Sequence, residues 1–322
     1  MIDAWTFEQL NVSAESDPLK FDARQCADEY AWRLDCAVRA ENLGFTGVFF
    51  SEHHFQGLRV CPAPGQFAAA VAARTSTLRI GFLGLVLPLW QPWRVVEEIG
   101  TLDQISNGRA ELGVARGTGP AEAEAVGIPA EETGPRYEEA LDILDRALAE
   151  PSFSHHGRFW SFDQLTVVPR PVQNPPPRPW TAARSTHSAA SAGHRGHRLC
   201  SAFLPTEQIT EIFDAYRAAA DRRGRRPRPR DLALRRTVFV AASSAAAADR
   251  SESARRLLPD LPASDIVAGT PSEVAEQLIH QARETGAANV IGFFAGDWLD
   301  RPAVEESYRL FGEQVIPALR RC

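Results

Sequence analysis

The feature that most constrains this chain is an alternation of β-rich and helix-patterned segments that runs its whole length. The β-rich stretches are IDAWTF (residues 2–7), FTGVFF (45–50), LRIGFLGLVLP (78–88), GRAELGVARG (108–117), PWTAAR (179–184), RLCSAFL (198–204), LRRTVFVAA (234–242) and ANVIGFFAG (288–296). Between them lie segments with helical periodicity, such as WRVVEEIGTLDQIS (93–106), EETGPRYEEALDILDRALAE (131–150) and TPSEVAEQLIHQARETG (270–286). The last opens on Thr270, Pro271 and Glu273, an N-cap with proline first in the helix. Repeated βα units imply a parallel sheet with right-handed crossovers. Eight such units closed on themselves make a TIM (β/α)8 barrel. The competing open, doubly wound sheet normally carries a GxGxxG turn, and none opens a helix here. Ser152–Pro179 breaks the alternation and reads as a hairpin followed by a proline-rich connector. The expected organisation is therefore one α/β barrel domain over residues 1–322, with an insertion at about 152–178 before the fifth strand.

With 322 residues, 44% of them hydrophobic, the chain can bury one large core. Its formal charge is -6, and basic residues are scattered except in DRRGRRPRPR (221–230), which reads as a solvated turn. No nucleic-acid stripe is present. No apolar run reaches the ~18 residues of a membrane span, and no secretion signal is visible at the N-terminus. Five cysteines, an odd number without a CxxC pair, read as free thiols in a reducing compartment. A cytoplasmic protein without a membrane or nucleic-acid partner is expected.

Four short patterns carry chemistry. Glu52, His53 and His54 follow the apolar run of FTGVFF, at what would be the C-terminal mouth of a barrel, where catalytic groups sit. An imidazole there is able to hold or release a proton near neutral pH, although two histidines also suit an ordinary polar loop. A metal site needs a third convergent ligand. His155 and His156 qualify by residue type alone, so no metal is expected. Gly84 interrupts a buried strand, either for packing or for a local backbone purpose. Gly113 and Gly117 bracket Arg116, whose rigid fork suits a phosphate or a surface ion pair. Ser185 begins a helix, where capping and phosphate binding are compatible. Trp5, Phe7, Phe50, Trp90, Phe203, Phe293 and Phe294 are available either to the core or to a pocket, with Trp90 and Phe7 the chosen pocket candidates.

GFTGVFFSEHHF, GLVLPLWQPWRVVEEIGTLDQISNGRAELGVARG, RYEEALDIL, PRPVQNPPP and AGTPSEVAEQL occur in an order that resembles the bacterial-luciferase-like flavin-dependent monooxygenases. The resemblance runs from about Gly44 to Gly196 and from Ile266 to Leu319. It implies a luciferase-type barrel that takes reduced FMN from a separate, transiently bound flavin reductase. With O2 the flavin would form a peroxyflavin that oxygenates a small organic substrate. It implies His53 as the acid/base over the flavin ring, with Glu52 and His54 orienting either His53 or the loop. It places a non-proline cis peptide at Leu83–Gly84 behind the ring, and Arg116 and Ser185 on the flavin phosphate. Arg184 stands where luciferases carry an acidic residue, and its backbone is the expected contact. Asp103 and Arg109 are family positions that read as structural. A homodimer through the second and third helices is also implied. The segment after the seventh strand is too short for a luciferase-sized lid, which argues against light emission. Two other readings share this fold: an oxidoreductase using the deazaflavin coenzyme, and a flavin-binding protein without catalysis.

Overall fold

Short runs of β-branched and aromatic residues, each followed by an amphipathic helix, have one compact solution when every strand must be covered on both faces. The computed structural model describes residues 1–12, 21–57, 59–117, 119–294 and 300–322. The chain begins with β1 (Asp3–Glu8), α1 (Ala23–Asn42), β2 (Gly47–Phe50), α2 (Pro64–Ala72), β3 (Arg79–Phe82), β4 (Leu85–Val86) and α3 (Pro92–Ser106). There follow β5 (Ala110–Glu111), β6 (Gly113–Ala115), α4 (Ala121–Glu124), α5 (Thr133–Ala149), β7 (Phe153–His156), β8 (Ser161–Leu165) and β9 (Trp180–Ala182). Next come α6 (Thr186–Arg195), β10 (Arg198–Ser201), α7 (Thr206–Asp221), β11 (Leu232–Val240), α8 (Ser244–Leu257) and β12 (Ile266–Gly269). The last elements are α9 (Pro271–Thr285), β13 (Asn289–Phe293), α10 (Arg301–Leu310) and α11 (Ile316–Arg320).

The main sheet is parallel and runs β4-β6-β9-β10-β11-β13-β1-β2-β3-β5. Since β4 continues β3 and β6 continues β5, the two ends of this order meet and the sheet closes as a barrel. Two of the stretches read as continuous strands are therefore broken staves. LRIGFLGLVLP divides at Leu83–Gly84, and GRAELGVARG divides at Leu112. A strand that was not anticipated, β12, pairs with the far end of β11 from Thr237↔Ile266 to Val240↔Gly269. It lies off the barrel path and lengthens that wall beyond the rim. Ala295 and Gly296, at the end of the expected eighth strand, lie outside the described residues.

Alternation along the staves sorts side chains inward and outward. Trp5, Phe49, Leu83, Trp180, Cys200, Ala233 and Ile291 form the barrel interior, with Phe7 packed against them. Trp5 stacks on Phe49 with ring centroids 5.0 Å apart. Gly47 makes room for this plug: a Cβ there would lie 2.4 Å from the Trp5 ring. Outward residues such as Val48, Phe50, Ile80, Leu234 and Val290 pack under the helices. The hairpin β7–β8 is fastened to α5 because the Glu139 carboxylate accepts the backbone N–H groups of Arg158, Phe159 and Trp160. Thr270 and Glu273 form a capping box at the start of α9.

Candidate active site

β2 ends at Phe50, and the chain then turns across the C-terminal rim carrying Glu52, His53 and His54. Glu52 is 2% exposed, so its charge must be met from within. It accepts the Val86 N–H at 2.9 Å and the Trp90 indole N–H at 2.9 and 3.0 Å. His54 Nε2 donates to its other side at 2.7 Å. That bond raises the His54 pKa above the ordinary imidazole value, against the opposing effect of burial. Glu52 and His54 therefore clamp the β4 end and the Trp90 loop, and their side chains make no hydrogen bond to the His53 side chain. Of the two supporting tasks expected of them, the hydrogen bonds carry out the one on the loop. Trp90, half-buried, is held in this clamp by its indole N–H.

His53 has two other partners, neither anticipated. Its Nδ1 lies 3.3 Å from Glu122 Oε1, on the short helix α4. Arg59 Nη1 lies 3.1 Å from Nε2 and 3.4 Å from Nδ1. A guanidinium only donates, so the nearer Nε2 is assigned as acceptor and Nδ1 as the N–H directed at Glu122. Burial and the Arg59 cation lower the His53 pKa, with Glu122 pulling the other way. His53 is thus a neutral imidazole at pH 7, 9% exposed and oriented on both nitrogens. Glu122 also accepts the His54 backbone N–H at 3.1 Å and the Gln56 side-chain amide, which holds the whole turn in place.

The Leu83–Gly84 peptide is cis. Here β4 lies so close to β6 that a Cβ on Gly84 would stand 2.7 Å from Val114 backbone atoms. Gly84→Ala should therefore destabilise the fold by about 1–3 kcal/mol, the range for overpacking. Urea unfolding checks this: the midpoint should fall at constant m-value, and an unchanged midpoint would show that the two staves separate without cost.

Arg116 is exposed at the end of β6 and has no hydrogen bond or ion pair with the described residues. The neighbouring stave is β9, in register Val114↔Thr181. It leads to exposed Arg184 and to Ser185, which caps α6 by accepting the Ser188 N–H. The first turn of α6 contains no acidic residue. Two exposed guanidinium groups at the ends of neighbouring staves, one of them just before a helix N-terminus, form a donor set whose chemistry fits a phosphate dianion. Asp103 and Arg109 are structural as read: Asp103 accepts from Ala110 and Gln173, and Arg109 ties the end of α2 to the start of β3. Among the described residues no group of three or more His, Cys, Asp or Glu side chains could hold a metal. No described helix is long and apolar enough to cross a membrane.

Residues 16–259 match a family model described as luciferase-like monooxygenase. An uncharacterized Sinorhizobium fredii protein, y4vJ, is 34% identical over 209 residues, covering 64% of this chain and 60% of its own. The oxygenase component of a flavin-dependent trigonelline monooxygenase from Acinetobacter baylyi is 31% identical over 215 residues, covering 66% of this chain and 59% of its own. The chain thus spans about 60% of the length of these curated relatives. The solved structure of monooxygenase RslO1 from Streptomyces bottropensis superposes with a TM-score of 0.86 at 26% identity, covering 98% of this chain and 99% of that one.

Proposed function

Because this chain belongs to the luciferase-like monooxygenase family, we propose that it is the oxygenase component of a two-component FMN-dependent monooxygenase acting on a small organic substrate. The observation that carries the reading is the rim itself. A neutral histidine, oriented on both nitrogens, shares it with a cationic donor set that no carboxylate of the described residues neutralises. A separate reductase supplies reduced FMN, and two copies of the chain associate as a homodimer. Arg116, Arg184 and the α6 N-terminus around Ser185 hold the phosphate, and Leu83–Gly84 backs the ring. When bound in its reduced form, FMN supplies the electrons that activate dioxygen, so that one oxygen atom enters the substrate and the other leaves as water.

The chain's own residues do the rest. When the Arg59 N–H that it accepts here gives way, His53 Nε2 takes or returns a proton at the reacting face, while its Nδ1–H stays on Glu122. Arg59 disfavours the imidazolium, so a proton taken up by His53 is readily given back. Glu52 keeps Trp90 and the end of β4 fixed against the same face.

Anaerobic titration tests the reading. Reduced FMN should bind at micromolar concentration, and tighter binding of the deazaflavin coenzyme would sink the proposal. Arg116→Ala should weaken FMN on the order of tenfold, the usual worth of one charge-assisted contact. Fluorescence titration measures this, and an unchanged affinity removes Arg116 from the phosphate site.

A further inference from the structure

Arg235 and Arg236 stand side by side in β11, whose nine residues are all buried. Neighbouring residues of a strand face opposite ways. Arg236, 0% exposed, points outward under the helices, where it donates to Gln281 Oε1 at 2.6 Å and Thr206 Oγ1 at 3.1 Å. Arg235, 4% exposed, points into the barrel mouth. Its guanidinium carbon lies 4.3 Å from the Phe203 ring centroid, 4.6 Å from Phe293 and 5.9 Å from Phe7. Asp265 Oδ2 is 3.2 Å from Arg235 Nη1, and Oδ1 is 3.7 Å from Arg236 Nη1. Two buried cations therefore share one buried carboxylate. Glu284 adds only a weaker field, and on Arg236 alone. Arg235 Nη1 is satisfied by Thr237 and Asp265, yet its Nε is buried without any partner among the described residues. An unpaired buried donor on an undercompensated cation is costly, and its position in the mouth calls for an anion from outside the chain.

We propose that Arg235 receives an anionic group of the organic substrate, a carboxylate or a comparable oxyanion, and that Phe7, Phe203 and Phe293 wall the apolar part beside it. This rests on the oxygenase reading above and adds the substrate class. Along the rim, β11 lies between the stave leading to Ser185 and the stave leading to His53. Phe203 lies beside both Arg235 and Arg184, whose guanidinium carbon is 5.8 Å from the same ring. The substrate anion and the flavin phosphate thus have distinct cationic receptors on different staves, β11 for the one and the ends of β6 and β9 for the other.

Calorimetric titration of the full chain without flavin tests this, using benzoate and its neutral analogue benzamide as probes. Benzoate should bind about tenfold tighter than benzamide, the worth of one charge-assisted contact. Arg235→Met keeps the apolar stem and leaves Asp265 to Arg236; it should erase that preference and leave FMN affinity within about twofold. Equal binding of the two probes by the native chain would overturn the proposal, as would a preference that survives in Arg235→Met. A parallel loss of FMN and benzoate would assign Arg235 to the flavin and overturn it too. If Arg235→Met does not fold, Arg235→Lys serves: it keeps a charge but loses the planar fork and should reduce the preference, and an undiminished preference refutes the proposal. Absence of FMN binding by the native chain, with benzoate selectivity intact, would instead strike the oxygenase reading alone.

Discussion

His53→Ala should lower substrate oxygenation by about a hundredfold to ten-thousandfold, the usual range for a positioned acid/base, while FMN affinity stays within about twofold. The split follows from position. His53 lies on the β2 side of the mouth, and the cationic donors proposed for the phosphate lie at the ends of β6 and β9. Incorporation of 18O from labelled dioxygen in a reductase-coupled assay gives the first quantity, and fluorescence titration the second. Equal losses in both would make His53 a structural residue. The pH profile adds a signed expectation. Burial and Arg59 lower the His53 pKa, so the neutral form persists below the ordinary imidazole range, and activity should fall only on its acidic side. Glu122 is the group that opposes Arg59. Glu122→Gln should therefore move the acidic inflection lower still, and an upward move would contradict the assigned arrangement.

Asp265→Ala should destabilise the fold by about 3–5 kcal/mol, since it strips a buried carboxylate from two buried guanidinium groups. Asp265 is 0% exposed and also accepts the Thr237 hydroxyl at 2.9 Å and the Phe203 N–H at 3.1 Å. Removing it loosens the β10 end, the start of β12 and the inner face of β11 together. Asp265→Asn should cost less, because its amide oxygen still accepts from one of the two donors, the Phe203 N–H or the Thr237 hydroxyl. Urea denaturation of both variants gives the comparison. A loss under about 1 kcal/mol for the alanine variant would mean that water reaches the two arginines and shields them. Arg235→Met, by contrast, removes one cation and leaves a one-to-one pair, so it should be close to neutral in stability.

The parts of the fold that were legible are those set by local rules. Apolar runs bounded by turn residues mark each stave, and Thr270-Pro271 marks the start of α9. The break at Leu83–Gly84 was signalled by a glycine inside a buried run and by the cis peptide that the resemblance implied; the break at Leu112 was not visible, because a continuous apolar run looks the same whether or not its ladder is interrupted. β12 was missed because four residues, Ile266–Gly269, carry no period of their own and become a strand only by pairing with β11. Arg235 left a signal that went unused: two arginines side by side in a strand read as buried are anomalous, and one of them needs an inward reason. Glu122 left none. It sits between alanines beside an exposed glutamate, and nothing local tells the buried acid from the solvated one.

The sequence by itself determined the alternating units and His53 at the end of an apolar strand. Each depends on residues within a few positions of one another, where periodicity and turn chemistry act. The tertiary structure alone decided which carboxylate faces His53, 69 residues away. It alone directed Glu52 to the Trp90 indole, 38 residues on. It also gathered Phe7, Phe203 and Phe293 around the cation at Arg235, which shares its carboxylate with Arg236. Such partners meet only when the sheet closes, and whether a charge is buried, paired or left with an open donor is fixed by that closure rather than by its neighbours along the chain.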